Sequence, residues 1–177
     1  MRYIITFMLC VLTLSCQRSS YYEMDYWAKS YVPPKNQTVD SDDDIRESVF
    51  RYQMHNNRSV QQQKTHAFFL SLEDWRDPSD EFMDRFARNP IKAKKFSACE
   101  TANETPLGVH DKETKLPGIV LVLRTLERTG DTEALVSGGY FEGGDNMAGS
   151  TFELKFKNGR WTVTKASDLT YTQYTGK

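Results

Sequence analysis

The chain has 177 residues, 38% hydrophobic and 12% aromatic, enough for one domain of ordinary size with appendages. Its 23 Lys and Arg against 24 Asp and Glu give a net charge of -1, the pI is near 6.3 and the basic residues are scattered, so no nucleic-acid footprint is present. A mean hydropathy of -0.63 requires that some segments stay in water.

Residues 1–15 stand apart as a signal peptide. Arg2 precedes an apolar run from Tyr3 to Leu14. That run suits a secretory signal and falls short of the roughly 20 residues a membrane-spanning helix needs. It ends in Leu12-Thr13-Leu14-Ser15-Cys16, a small residue followed by cysteine. The stretch resembles a bacterial lipoprotein signal, although Thr13 stands where such signals usually carry an aliphatic residue. The resemblance implies that Cys16 is acylated and becomes the mature N-terminus, anchoring an exported protein to a membrane of the bacterial cell envelope. The alternative is an ordinary secretory signal and a soluble secreted product. Cys10 leaves with the signal and Cys16 would carry lipid, so Cys99 has no disulfide partner.

Residues 16–39 read as a tether of Ser, Tyr, Pro and polar residues without a defensible period, stiffened by Pro33-Pro34. Tyr21, Tyr22, Tyr26, Trp27 and Tyr31 either sit scattered in solvent or meet a membrane surface or a partner.

A domain is expected over residues 40–170, with 171–177 as a C-terminal tail. Ser41 and Asp42 to Asp44 offer caps and negative charge to a first helix, on which Ile45, Val49 and Tyr52, with Phe50 and Met54, form the apolar stripe. The Asp run lacks the spacing and glycine of a calcium loop. Thr65 to Leu72 predicts a buried strand. Asp77-Pro78-Ser79-Asp80 starts a second helix, with Pro first, that buries Phe82, Met83 and Phe86 and stops at Asn89-Pro90.

Lys95 to Cys99 permits a short strand, and the rest of 92–117 reads as a long loop. Ile119 to Glu127 predicts a central strand. A turn at Gly130-Asp131 would set Arg128 opposite Glu133 and Leu126 opposite Leu135. Gly138-Gly139 marks a bulge or bend in the returning strand, and Gly143-Gly144-Asp145-Asn146 the next connection. In the last hairpin Phe152, Leu154 and Phe156 alternate with Glu153, Lys155 and Lys157 before Asn158-Gly159. A type I′ turn there sets Phe156 opposite Trp161 and Leu154 opposite Val163, with the large apolar groups on one face.

The expected fold class is therefore α+β: a curved antiparallel meander sheet with two N-terminal helices packed on one face. This order, with the phrases FRYQ (50–53), DPSDEF (77–82), GGYFEGG (138–144) and NGRWTV (158–163), resembles the cystatin-like and nuclear-transport-factor-2-like group of small α+β domains, and more narrowly uncharacterised bacterial exported proteins of that kind. The resemblance implies a cystatin-like cone with a pocket at its open end, lined by Tyr52, Phe69, Tyr140 and Phe152. Because members of the group include steroid isomerases and polyketide cyclases, it also nominates an acid and a tyrosine. Tyr140 with Glu142 or Asp145, and His66 near them, are the candidates. Their glycine-rich setting equally suits solvent-facing bends.

Other chemistries have no support in the spacing. Histidines 55, 66 and 110 form no i, i+4 pair, so no metal ligand set is nominated, and no nucleotide or cofactor fingerprint occurs. Cys99 reads as a small buried hydrophobe. The expected function is a non-enzymatic envelope lipoprotein, held on the membrane through Cys16, that binds a small molecule, peptide or protein. An isomerase-like or cyclase-like enzyme and an inhibitor or immunity protein are the alternatives.

Overall fold

The computed structural model describes residues 34, 36–56, 64–101, 108–144 and 146–169. The expectations for the signal, Cys16, the aromatic residues between 17 and 33, Asp145 and the tail lie outside these residues.

The protein is a mixed α+β fold around one six-stranded sheet. Helix α1 (Asp42–Asn56) leads into β1 (Ala67–Ser71), followed by the short helix α2 (Asp80–Asp84) and β2 (Lys92–Lys95). A small hairpin of β3 (Cys99–Thr101) and β4 (Val109–Asp111) precedes four long strands: β5 (Gly118–Gly130), β6 (Glu133–Gly143), β7 (Asn146–Lys157) and β8 (Arg160–Leu169). The sheet order is β2-β1-β5-β6-β7-β8. The last four strands form the expected antiparallel meander, but β1 runs parallel to both β2 and β5. The sheet is thus mixed where a purely antiparallel one was expected, because β1 reaches β5 through a long crossover rather than a hairpin.

Helix α1 forms where the sequence puts it. Ser41 Oγ accepts from the N–H of Asp44 at 3.2 Å, three acids occupy the first turn, and Ile45, Val49, Phe50 and Met54 are buried on the sheet. Among the described residues α1 is the helix that precedes the sheet. The second is five residues long and follows β1; its cap is Ser79, whose Oγ accepts from Phe82 N–H, and Pro78 stands outside it. The chain leaves helical pairing after Asp84, yet Phe82 and Phe86 still reach the core beside Phe50 in edge contacts of 6.1 and 6.3 Å.

The folded part begins earlier than Asp40. Gln37, expected in the tether, is buried: its Nε2 donates to Asp44 O and Ser48 Oγ, and its Oε1 accepts from the N–H of Trp161 at 2.7 Å. One amide side chain joins the incoming strand of chain, α1 and β8, satisfying three groups that burial would otherwise leave bare.

Two cores lie on opposite faces of the sheet. The larger takes α1, α2, Phe68, Leu70, Ile119, Leu121, Leu123, Val136, Phe152, Leu154 and Trp161. The smaller takes Ala67, Phe69, Val120 and Val122 under Cys99 and Val109 of the β3–β4 hairpin. This explains why β1 and the first half of β5 are apolar at consecutive positions: both faces are covered. It also corrects the expected long loop over 92–117, which contains three short strands and a roof over the second core. Those segments carry Lys, Glu and Thr, so their hydrophobic pattern is too sparse to announce strands.

The final hairpin has the expected register. Lys157 faces Arg160, Phe156 faces Trp161 and Leu154 faces Val163, with Asn158 and Gly159 at φ 54° and 74°. The rings of Phe156 and Trp161 meet at 5.6 Å on one face. The preceding turn differs. It uses Asp131-Thr132, and a bulge between Arg128 and Gly130 then sets Arg128 opposite Ala134 and Leu126 opposite Val136; a second bulge falls between Leu123 and Thr125. Arg128 instead donates to Asp42 Oδ1 and Val39 O, and Glu133 pairs with Lys155 at 2.6 Å. Gly138 and Gly139 sit beside the upper bulge as expected: a Cβ on Gly138 would collide with Val122 O and one on Gly139 with Ala148 O.

Candidate functional site

The expected pocket residues do not line one cavity. Tyr52 of α1 and Phe152 of β7 pack edge to face at 5.8 Å in the larger core, where Phe152 is 3% exposed. Phe69 is fully buried in the smaller core, on the other face of the sheet. Alternation along β1 forces this, since Phe68 and Leu70 point to the helices. The space between α1 and the sheet is filled by the chain's own side chains, with Tyr140 at its margin.

Tyr140 and Glu142 both lie near the end of β6. Burial raises the Tyr140 phenol above its ordinary pKa, and the nearby charges of Glu142 and Asp168 add to that, so it remains a protonated donor. Glu142 is buried and its Oε2 accepts from Asn146 Nδ2 at 2.6 Å across the β6–β7 turn. The carboxylate therefore fastens the turn that carries it. His66 is exposed at the foot of β1 and donates its backbone N–H to Pro117 O. Gln53, not singled out by its sequence context, reaches from α1 to the glycine pair: its Nε2 donates to Gly139 O at 2.9 Å, while its Oε1 is buried without a hydrogen-bond partner among the described residues. Helical spacing places Gln53 beside Val49 and Phe50 but gives no hint of what faces it.

The second site is on the outer face. Trp75, Val122, Arg124, Gly139, Tyr140, Phe141, Met147 and Ala148 border a shallow recess of about 50 Å³. Trp75 is 50% exposed and Met147 47%. The backbone of Trp75 has φ 59°, a left-handed conformation that is costly for a bulky side chain. Contact of its ring with Phe96 at 5.5 Å and the antiparallel bridge between Leu72 and Arg76 hold it there. The signal that was available is a lone aromatic in a charged run, Glu73-Asp74-Trp75-Arg76-Asp77, directly after a buried strand. A larger open groove of about 610 Å³ borders the β5–β6 turn, but its arginine, Arg128, is engaged by Asp42 and its other walls are Val39, Asp40 and short turn residues.

Among the described residues no group of His, Cys, Asp or Glu is arranged to hold a metal ion, and no helix is long and apolar enough to cross a membrane. Cys99 is a free, buried thiol whose pKa burial pushes up to about 11, which leaves it protonated and unreactive at neutral pH. Comparison of the chain with family models, with curated proteins and with solved structures finds no match.

Proposed function

We propose that the protein is an exported, membrane-anchored binding module, with Cys16 as its lipid-attachment residue and the recess around Trp75 as its binding surface. The supporting observation is the half-exposed indole of Trp75, kept in a strained backbone conformation beside Phe141 and Met147. A large aromatic held in water at a conformational cost is a residue that folding alone would bury or replace. The cystatin-like cone stays part of the proposal as a description of the curved meander over α1. Its interior is packed, which favours binding outside it. Tyr140 and Glu142 support catalysis less well, since the acid is occupied by Asn146.

The test is a photoreactive amino acid at Met147, exposed at the rim of the recess, in the full chain expressed in a bacterial host. A discrete adduct, absent when the photoreactive group sits at the exposed Thr162 of β8, is the expected result. Identical background at both positions overturns the binding surface. Labelling with radioactive palmitate, lost in Cys16→Ser, checks the anchor separately.

A further inference from the structure

We infer that the open strip of sheet beside the C-terminal end of α1 binds a primary ammonium group on an alkyl stem, through Asp168, Ser150 and Tyr140. This site lies on the helix side of the sheet, is separate from the recess around Trp75 and does not rest on it. Register brings its parts together. Ser150 of β7 stands opposite Asp168 of β8, Tyr140 of β6 opposite Ala148 of β7, and Phe152 of β7 opposite Ala166 of β8. Alternation puts all of them on the face that carries the larger core, to which Phe152 belongs. Phe152 is covered there, but the strip next to it is not: Tyr140, Ala148 and Ser150 are half-buried, and Ala166 and Asp168 are exposed.

An ammonium group has three N–H donors and no acceptor. The strip offers it the Asp168 carboxylate, the Ser150 hydroxyl, which lies 3.5 Å from Asp168 Oδ1, and the phenol oxygen of Tyr140. Between these groups the small Ala148 and Ala166 leave room beside the half-buried Tyr52, whose ring meets that of Phe152 at 5.8 Å. An alkyl stem can lie along those side chains, with its charged end in reach of an aromatic face.

The field over the strip favours a cation. Burial, and then the charges of Glu142 and Asp168, raise the Tyr140 phenol, so both carboxylates act at this spot. Gln53 is 6% exposed and its Nε2 is held by Gly139 O, next to Tyr140 in the chain; its Oε1 is buried without a hydrogen-bond partner, so the negative end of that amide dipole is uncompensated. The last carbonyls of α1 add the negative end of the helix dipole. Against this stands His55, the basic side chain in the last turn of α1. Neighbouring cations face away: Lys165 pairs with Glu153 on the other side of the sheet, and Arg124 borders the recess there.

Calorimetric titration of the full chain in detergent with two probes tests the inference: cadaverine, a free diamine, and N-acetyl-lysine methylamide, a lysyl side chain in a peptide setting. Expected is saturable one-to-one binding of at least one probe, weakened about tenfold or more in Asp168→Asn, weakened several-fold in Tyr140→Phe and unchanged in Glu153→Gln on the opposite face, with melting of the three variants unaltered. Binding of cadaverine alone assigns the site to a free polyamine, and binding of the lysyl probe alone to a side chain of a protein partner. Equal binding of the uncharged 1,5-pentanediol or N-acetyl-norleucine methylamide, equal losses in Asp168→Asn and Glu153→Gln, or no saturable binding of either amine overturns it.

Discussion

Individual side chains in this protein carry opposite consequences of burial. Cys99 sits in the smaller apolar core and burial raises its pKa to about 11, so its stabilising effect is complete below the unfolded thiol's value and is lost as pH rises through the folded one. Maleimide labelling of the native protein at pH 8 should therefore proceed at least tenfold more slowly at Cys99 than in urea. Equal rates would show that the β3–β4 roof opens freely. Asp111 behaves in the opposite way. Burial would raise it, but the Lys94 ammonium at 2.6 Å and the N–H groups of Thr114 and Glu113 outweigh burial and hold it below the usual carboxylate value. Its contribution is present above the unfolded carboxylate pKa and lost as pH falls through the depressed folded value. Asp111→Ala should cost about 1–3 kcal/mol at pH 7 in urea unfolding, and the deficit should shrink in acid. Asp111→Asn keeps the acceptor for the turn and should cost less.

At the level of elements, α1 is held on its outward side by charge as much as by hydrophobic contact. Arg85 Nη1 binds both Asp44 Oδ1 at 2.6 Å and Glu47 Oε2 at 2.9 Å, and Arg51 Nε binds Glu47 Oε1 at 2.8 Å. Arg51 also donates to Arg85 O and lies 4.9 Å from the Phe86 ring centre. Burial opposes the Arg85 charge, but its bonds to Asp44 and Glu47 prevail and raise its pKa. The network fastens a five-residue helix too short to persist alone. Glu47→Ala should lower stability by about 3–5 kcal/mol, since it strands the buried Arg51. A loss under 1 kcal/mol in denaturant titration would mean the network is ornamental to the fold. The sheet's edges are blunted too: β2 is short and lysine-rich, and β8 is bulged at Thr164, whose Oγ1 donates to Glu153 O.

For the whole molecule, the consequence of two cores on one sheet is cooperativity. β1 and β5 belong to both, so neither core can open without exposing the other. The described residues all fall within one compact unit. A chain beginning at Val32 should unfold in a single urea transition with coincident fluorescence and circular dichroism, and Phe152→Ala should shift that transition by about 3–5 kcal/mol without splitting it. Two separated transitions would show that the hairpin roof is an independent layer.

Elements whose signals are local were readable from the residues. Period-2 alternation and Asn158-Gly159 specify the last hairpin down to the Phe156–Trp161 pair, and the apolar stripe with its acidic cap specifies α1, because both depend on neighbours within a few residues. The parallel placement of β1, the roof of β3 and β4, and the bulges that shift the β5–β6 register come from long-range pairing, on which the local pattern is silent. The same holds for the candidate sites. Tyr140 and Glu142 were visible as residue types, but which face Phe69 occupies and why Trp75 stays in water were decided only when both faces of the sheet were covered, since burial is a property of what packs above a residue.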